Sequence, residues 1–360
     1  MKSITKNTVA LIFGGRGYEH DVSVEGAKFV FPLIDRSRYK ALPIYIKKSG
    51  EWTIPKGGVS ASPEEIVTEK VDLEVVHPTF AKRVGGISYG DKFIPIRCAF
   101  PLLHGDYGED GVIAGVLKNS NIPFIGCDVE AGALCSDKAY TKIVAEHLGI
   151  PTAKWTLGYG STIASARRAK ERAEKLFSYP MFIKPCGLGS SVGASPVRSE
   201  SEFDVAYLKA ARLGCGRVLI EELISIEKEL ECAYFATKGK ELFTNLGQIS
   251  CNSSFYDYSE KYSNASSARV DATSDATEKI TEKIKEYSKL LTDIIGIRDI
   301  ARIDYFLTRD GEIIFNEINT MPGFTGGSLY PRLLETCGIN PSRLVNLLIS
   351  NRIRYGAQRR

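Results

Sequence analysis

The sequence lacks any apolar run long enough to cross a membrane or to form the core of a signal peptide. Its eight cysteines include no CxxC pair, which fits buried thiols in a reducing compartment better than a disulfide or zinc framework. It also lacks a strong charge excess, since 47 Lys and Arg stand against 43 Asp and Glu. These absences predict a cytoplasmic protein with no membrane or nucleic-acid partner.

The chain of 360 residues is long for one hydrophobic core and predicts two or three domains of the α/β class. Its first part alternates predicted strands at residues 8–15, 41–47 and 97–103 with helices at 22–34 and 111–118. Later changes of pattern divide the chain into predicted domains at 1–126, 127–217 and 218–360.

The sequence after residue 126 also contains patterns that predict helices, a strand and a long loop. We expect a helix over residues 131–148 that ends at Gly149, and a strand over 181–184. Residues 248–275 are polar and contain three tyrosines, and a loop of that length in a compact domain is typical of a lid or an insert. An amphipathic helix is predicted between that segment and Gly296.

The segment RIDYFLTRDGEIIFNEIN, residues 302–319, has the pattern of a β-hairpin. Asp310-Gly311 is a two-residue turn signal between two apolar runs. With those two residues as the loop, Arg309 faces Glu312. The pairing of all the other residues then follows by counting back from the turn.

That register puts Asp304 opposite Glu317 and Arg302 opposite Asn319, with all four side chains on one face. Two facing carboxylates repel each other unless a positive charge lies between them. Asp, Glu and Asn oxygens beside an arginine suit Mg²⁺, which takes its other ligands from water and substrate phosphates. The alternative is a solvated polar face on an edge hairpin.

A glycine-rich loop at residues 187–193, GLGSSVG, follows the strand that ends near Lys184. Its small residues allow backbone N–H groups to converge on an anion, although an ordinary glycine-rich turn remains the alternative. No GxxxxGK[ST] motif occurs in the chain. Because a Mg²⁺ site is also predicted, the loop indicates that the protein binds a nucleotide. Lys138 is a candidate for a further phosphate contact, or else a solvated helical lysine.

Two more polar groups follow predicted strands. Glu19 lies after the first glycine turn, at a favoured ligand position of an α/β sheet, and suits a substrate ammonium group. An acid favoured by the helix dipole is the alternative. His104, in LLHGDYGEDG, also lies at a strand end, where a structural histidine is the default interpretation.

The motifs HGDYGEDG, SDK, KPCGLGSSVG, YDYSEKY, RIDYFL and NEINTMPGFT, in this order and spacing, resemble the D-alanine:D-alanine ligase family. That family of ATP-grasp enzymes includes the vancomycin-resistance ligases. The resemblance extends from Gly14 to about Pro331. It implies three domains, of which the first is a Rossmann-like α/β domain and the other two form the ATP-grasp, α+β half that holds ATP between them.

The resemblance implies a role for particular positions in nucleotide binding. Lys138 and Lys184 would contact ATP phosphates, and Glu221 and Glu229 would lie near the adenine and ribose. Further ATP contacts are implied for Ser191, Glu222, Lys261 and Asn316. The metal ligands would be Asp304, Glu317 and Asn319, which would hold two Mg²⁺ ions, with Mn²⁺ as the substitute.

The implied reaction moves the γ-phosphoryl group of ATP to the carboxylate of one D-alanine, and the amine of a second D-alanine attacks the acyl phosphate. Arg302 and the backbone N–H of Gly323 would stabilise the oxyanion. Glu19, in a network with Ser190 and Tyr262, would bind the first ammonium group.

His104 would help to position the first D-alanine. Tyr262 lies on the polar segment, so that segment would close over the site and exclude water. The family resemblance also suggests a homodimer.

The identity of the second substrate rests on a few positions. Tyr262 and the Ser328-Leu329 pair resemble enzymes that make D-alanyl-D-alanine for peptidoglycan. IPFIGCD and NEINTMPGFTG look closer to the antibiotic-resistance ligases, and Gly326-Gly327 replaces a bulkier pair beside the substrate.

Two further departures are Leu188, where the family often has a polar residue, and SIEKELE, which is one residue longer than the usual turn before the acid at Glu229. The alternatives are a D-alanyl-D-serine ligase, a ligase for another small amino acid, and a nucleotide-binding regulator without turnover.

Overall fold

Parallel strands form the centre of the N-terminal sheet. β1 (Asn7–Gly14) runs parallel to β2 (Tyr39–Ile46) and to β8 (Cys98–Pro101). The computed structural model describes residues 7–58, 60–80, 83–214, 216–237, 239–250 and 269–356. β1 is a nearly continuous apolar run that is buried on both faces, as expected for a central parallel strand.

Helices and short strands complete this region. The sheet order is β4-β3-β2-β1-β8, and β3 and β4 join its edge antiparallel. The predicted helices after β1 and β8 are confirmed as α1 (His20–Val30) and α3 (Val112–Asn119). The other elements are β3 (Trp52–Pro55), α2 (Pro63–Val67), β4 (Leu73–Val75) and a small antiparallel sheet of β5 (His77–Pro78), β6 (Gly86–Tyr89) and β7 (Lys92–Pro95).

The single helix predicted over residues 131–148 is two helices, α4 (Val129–Ser136) and α5 (Lys138–His147). Asp137 between them is extended, and its carboxylate accepts hydrogen bonds from the N–H groups of Ala139 and Tyr140. An N-cap of this kind starts a new helix and therefore ends the previous one.

The central sheet is antiparallel, with the order β11-β10-β12-β9. Its strands are β9 (Trp155–Tyr159), β10 (Met181–Pro185), β11 (Ser195–Val197) and β12 (Arg217–Glu222), and α6 (Ile163–Glu174) and α7 (Glu200–Leu213) complete the region. The sequence prediction starts the third domain at residue 218, yet β12 pairs with β9 and β10 of the central sheet.

A second antiparallel sheet has the order β16-β15-β13-β17-β18, and β14 also pairs with β13. Its strands are β13 (Ile226–Thr237), β14 (Lys240–Phe243), β15 (Gly247–Ser250), β16 (Arg269–Asp271), β17 (Ile300–Thr308) and β18 (Ile313–Asn319). The predicted amphipathic helix is α8 (Glu278–Ile295), which ends at Gly296 in a left-handed conformation.

The polar segment at 248–275 forms β-strands at its two ends. Gln248 pairs with Asp271 and Ser250 with Arg269, because β15 and β16 form an antiparallel ladder. Residues 251–268 of the predicted lid, including Lys261 and Tyr262, lie outside the described residues. Its two ends are therefore held side by side in the sheet.

The predicted hairpin forms, but its turn is different. Thr308 donates its N–H to the carbonyl of Glu312 at 2.9 Å, and Gly311 has a φ of 82°, so the loop contains three residues and the predicted facing of Arg309 and Glu312 is wrong. A β-bulge then shifts the register between Asp304 and Tyr305. The extra residue in the loop and the bulge compensate each other.

Beyond the bulge the predicted pairs are confirmed, with Asp304 opposite Glu317 and Arg302 opposite Asn319. A second bulge, at Glu227, separates Ile226 from Lys228. It accommodates one additional residue in SIEKELE, so that Glu229 enters the regular ladder opposite Phe306.

The last two helices pack against the first sheet. Residues of α9 (Leu329–Thr336) and α10 (Pro341–Gly356) share one apolar core with β1, α1 and β8. Asn346 of α10 donates to the carbonyl of Leu33 at 2.9 Å and accepts from the N–H of Asp35 at 3.0 Å. No helix in the described part of the chain is long and apolar enough to span a membrane.

Candidate active site

A cavity of about 770 Å³ lies between the central sheet and the C-terminal sheet. Its apolar lining residues include Phe182, Leu223, Ile249, Phe306 and Ile314, from both sheets. The volume and the mixture of apolar and charged lining are typical of a small-molecule site. Nine residues predicted from the sequence line it: Lys138, Lys184, Ser190, Ser191, Glu221, Glu222, Glu229, Asn316 and Glu317.

Lys138 joins three parts of the chain at one end of this cavity. It is the first residue of α5, its Nζ donates to the carbonyl of Leu188 in the glycine-rich loop at 2.9 Å, and it lies 3.0 Å from Oε2 of Glu317. Burial opposes its charge, but Glu317, together with Glu221, outweighs burial and raises the pKa of Lys138. The group is therefore a fixed cation between the loop and the hairpin.

Glu221 binds two lysines on its two oxygens. Lys142 lies 2.6 Å from Oε1, Lys184 lies 2.7 Å from Oε2, and all three residues are buried. Burial opposes the ionisation of Glu221, but the two lysines outweigh it and lower its pKa to about 2. Burial lowers the pKa of Lys184. Lys142 was not predicted from the sequence, although it is four residues after Lys138 on the same helix.

The hairpin holds a compact set of charges next to the cavity. Arg302 donates to both oxygens of Asp304, at 2.8 and 2.7 Å, and its Nε also lies 2.9 Å from Glu231. Asn319 donates its amide Nδ2 to Asp304 at 3.0 Å. Burial opposes the charge of Arg302, but Asp304 and Glu231 outweigh it and raise its pKa well above the ordinary value.

The donor set of the hairpin fits Mg²⁺. Asp304 and Glu317 supply facing carboxylates, and Asn319 uses its Nδ2 on Asp304 and so keeps its amide oxygen for a cation. Within the described ranges no group of three His, Cys, Asp or Glu side chains forms a complete metal cage. Mg²⁺ is commonly held by one or two carboxylates together with substrate phosphates, which matches this arrangement.

The N-terminal region meets the glycine-rich loop at Glu19. Ser190 donates its hydroxyl to Oε1 of Glu19 at 2.5 Å. Ser190 has a φ of 52°, an unusual conformation for a residue other than glycine. The structure therefore brings together Glu19 and Ser190 of the predicted network, whereas its third member, Tyr262, lies outside the described residues.

His104 and Glu109 both bind the backbone of Met321. His104 donates from Nδ1 to the carbonyl at 2.9 Å, and Glu109 accepts from the N–H at 3.1 Å and from Gly105 at 2.9 Å. Burial lowers the pKa of His104. Burial, followed by the charge of Glu19, raises the pKa of Glu109 to about 7.

The second nitrogen of His104 is buried and has no hydrogen-bond partner within the described ranges. Because Nδ1 must donate to a carbonyl, Nε2 of the neutral ring is an acceptor. A wholly structural histidine would have both nitrogens satisfied. The ring thus keeps one acceptor beside Glu19 and Arg302, whose charges both act on it.

The residues before α9 form a tight turn. Ser328 accepts from the N–H of Thr325 at 2.9 Å, and a Cβ at Gly323 would lie 2.9 Å from its hydroxyl. Leu329 is 5% exposed and belongs to the apolar core beside Gly247. Neither Ser328 nor Leu329 lines the cavity.

The comparisons with known proteins agree with this geometry. Residues 8–127 match the family model for the D-ala D-ala ligase N-terminus, and residues 144–350 match that for the D-ala D-ala ligase C-terminus. A D-alanine–D-alanine ligase of Chlorobium luteolum is 38% identical over 356 residues, which cover 95% of this chain and 96% of the relative. The corresponding protein of Thermoanaerobacter sp. is 34% identical over 349 residues and 96% of both chains.

Solved structures are similar over the same extent. The VanG D-Ala:D-Ser ligase from Enterococcus faecalis has a TM-score of 0.85 at 31% identity and covers 96% of this chain and 99% of its own. The D-alanine–D-alanine ligase from Coxiella burnetii has a TM-score of 0.84 at 27% identity, with coverage of 98% and 96%.

Proposed function

The chain belongs to the D-alanine:D-alanine ligase family of ATP-grasp enzymes, and on that premise we propose that it joins two D-alanine molecules through a D-alanyl phosphate intermediate, for peptidoglycan precursors. The observation that carries the proposal is the position of Lys138, whose ammonium group bonds both the glycine-rich loop and Glu317. A phosphate chain bound there meets a cation, loop N–H groups and hairpin carboxylates at one point.

In this proposal ATP occupies the 770 Å³ cavity. The adenine lies among the apolar lining residues near Glu221, Glu222 and Asn316, and the ribose lies near Glu229. The phosphates extend toward Lys138, Lys184 and Ser191. Lys184 is held by Glu221, so its ammonium group is fixed before the nucleotide binds.

The first D-alanine binds next to the end of the phosphate chain. Glu19 accepts from its ammonium group, Ser190 orients Glu19 through their 2.5 Å hydrogen bond, and His104 offers Nε2 as an acceptor. The substrate carboxylate attacks the γ-phosphorus, and ADP leaves. Fixed groups position the reactants, which is the main protein contribution to phosphoryl transfer.

In the second step the amine of another D-alanine attacks the acyl carbon. The carbonyl oxygen becomes an oxyanion, which Arg302 and the N–H of Gly323 stabilise, and its collapse expels inorganic phosphate. The Nη1 atom of Arg302 suits this role, because its Nε and Nη2 atoms already bind carboxylates.

Asp304, Glu317 and Asn319 would hold Mg²⁺, or Mn²⁺ in its place, and two such ions follow from the family resemblance. The bound ions would neutralise phosphate charge during transfer. Lys261 and Tyr262 would act from the segment between β15 and β16. The proposal further includes a cytoplasmic homodimer and three domains, with the second boundary after Glu222, where β12 ends.

A D-alanyl-D-serine product is the second candidate. It is favoured by Gly326 and Gly327, which leave space near the turn at Ser328: among the described residues, the nearest neighbour of a Cβ at Gly326 would be the ring of Phe29, at 3.5 Å. One similar solved structure is that of a D-Ala:D-Ser ligase.

The test incubates the purified protein with Mg²⁺, ATP and equal amounts of D-alanine, D-serine and D-lactate, and identifies the products by mass. D-Alanyl-D-alanine as the main product supports the proposal, and D-alanyl-D-serine supports the second candidate. Binding of ATP without any condensation would contradict both and would leave a nucleotide-binding regulator.

A further inference from the structure

Three carboxylates lie in one row across three neighbouring strands. Glu231 of β13 is directly opposite Asp304 of β17, which is directly opposite Glu317 of β18. Glu231 is 3% exposed, and the family resemblance gives it no role. Since like charges at facing positions destabilise a sheet, the row requires cations between its members.

Arg302 supplies one of these cations and is shared by two carboxylates. Its Nε lies 2.9 Å from Oε2 of Glu231 and 2.8 Å from Oδ1 of Asp304, and its Nη2 lies 2.7 Å from Oδ2 of Asp304. The guanidinium group is planar and rigid, so contacts on Nε and Nη2 also fix the direction of Nη1.

The two ends of the row, Glu317 and Glu231, differ in their position relative to the proposed nucleotide site. Glu317 lines the cavity, whereas Glu231 does not and is the member of the row farthest from Glu317. A cation that arrives with phosphates therefore meets Glu317 and Asp304. An Asp304 oxygen that binds the cation is no longer fully available to Arg302, which holds both oxygens.

We propose that Glu231 is a positioning residue for Arg302, which keeps the guanidinium group in place when Asp304 binds the cation. The inference rests on the proposed function, in which Arg302 stabilises the oxyanion of the second step. Glu231 touches neither nucleotide nor amino acid. A partly buried guanidinium group that lost both carboxylates would have no counter-charge, and it would turn toward the phosphates.

The experiment uses Glu231→Gln, which keeps the shape of the side chain but removes its charge, and Glu231→Asp, which keeps the charge. Glu312→Gln is the control, because Glu312 is an exposed carboxylate in the same hairpin. Two activities are measured for each protein: dipeptide formation, and isotope exchange within oxygen-labelled ATP in the presence of D-alanine. The exchange reports reversible acyl phosphate formation without the second step.

We expect Glu231→Gln to lower kcat for dipeptide formation by about 10- to 100-fold, as for a misplaced oxyanion donor. Isotope exchange and KM for ATP should stay near those of the parent protein, and Glu231→Asp should recover part of kcat. Unchanged dipeptide formation in Glu231→Gln would overturn the inference, and so would an equal loss of both activities.

A third measurement separates positioning from direct metal binding. The affinity of each protein for a non-hydrolysable ATP analogue is determined by calorimetry with and without Mg²⁺. Equal Mg²⁺ dependence in the parent and Glu231→Gln supports positioning, and a loss confined to the Mg²⁺ samples would make Glu231 a metal ligand instead. If the parent itself forms no dipeptide and no exchange occurs, the proposed function fails rather than this inference.

Discussion

The imidazole of His104 donates to the backbone carbonyl of Met321, two residues before Gly323. Glu109 accepts from the N–H of the same Met321, so both backbone polar groups of this residue are held by the loop that follows β8. The proposed oxyanion donor at Gly323 is therefore placed by residues that come more than two hundred positions earlier. Residues 104–109 thus connect the N-terminal region with the segment that carries Gly323.

Glu109 should make the stability of the protein depend on pH. Its pKa is about 7 in the folded state, because of burial and then of Glu19, against an ordinary value of 4.5. The unfolded carboxyl group loses its proton first, so the free energy of unfolding should fall as pH rises from about 4.5 to about 7. Urea unfolding of the parent and of Glu109→Gln across this range checks the prediction. A difference between the two curves that is constant with pH would refute it.

Glu221 should be essential for stability as well as for binding. In Glu221→Gln the ammonium groups of Lys142 and Lys184 lose their buried counter-charge, which we expect to cost about 3–5 kcal/mol of unfolding free energy. Urea unfolding at neutral pH provides the measurement. Glu200→Gln is a matched control, since it breaks the 2.7 Å ion pair between Glu200 and Lys170, in which the Glu200 side chain is exposed. We expect little change in the free energy of unfolding for this variant. Equal effects of the two changes would contradict this prediction.

Glu317→Gln should reduce phosphoryl transfer by at least about 100-fold, because it removes a metal-binding carboxylate and the partner of Lys138. Release of ADP in the presence of D-alanine and Mg²⁺ gives the rate. The exposed Glu312→Gln in the same hairpin should keep the parent rate. Retained activity in Glu317→Gln would disprove the assignment of the metal site.

Gly326→Ser combined with Gly327→Leu should narrow the choice of the second amino acid. A Cβ at Gly326 would make ordinary contact with Phe29 at 3.5 Å, and at Gly327 the nearest atom is 4.0 Å away, so the fold should tolerate both changes. We expect the ratio of D-alanyl-D-serine to D-alanyl-D-alanine to fall in competition assays. The single change Gly326→Ser is the control for the added bulk at 327. An unchanged ratio in the double variant would mean that these glycines do not form the subsite.

The sequence predicts the hairpin pairs at the metal site correctly, although the predicted register between the bulge and the turn is wrong by one residue. Asp304 faces Glu317, but the turn has three residues and a bulge restores the register. Turn signals specify that the chain reverses, whereas the exact loop length depends on the conformation of Gly311 and on the neighbouring strand β13. The unpredicted third residue of the turn and the unpredicted bulge therefore cancel each other at the predicted metal site.

Lys142 and Glu231 were missed because their importance comes from partners that are distant in sequence. Lys142 resembles any solvated helical lysine until β12 brings Glu221 to 2.6 Å. Glu231 is one acid in a charged strand until β17 pairs with it. Alternation alone puts Glu229 and Glu231 on one face, and that was the available signal. The division of the helix at Asp137 had a signal too, an Asp followed by a new helical pattern.

The packing of α10 against β1 and β8 sets an order for the assembly of the chain. The apolar core around Val9, Leu11 and Phe100 includes Leu344 and Leu348, which follow it by more than two hundred residues. During synthesis the first strands leave the ribosome long before those leucines exist. The core of the N-terminal sheet is therefore completed late. Until the C-terminal helices are made, the N-terminal region exposes the apolar surface that they later cover.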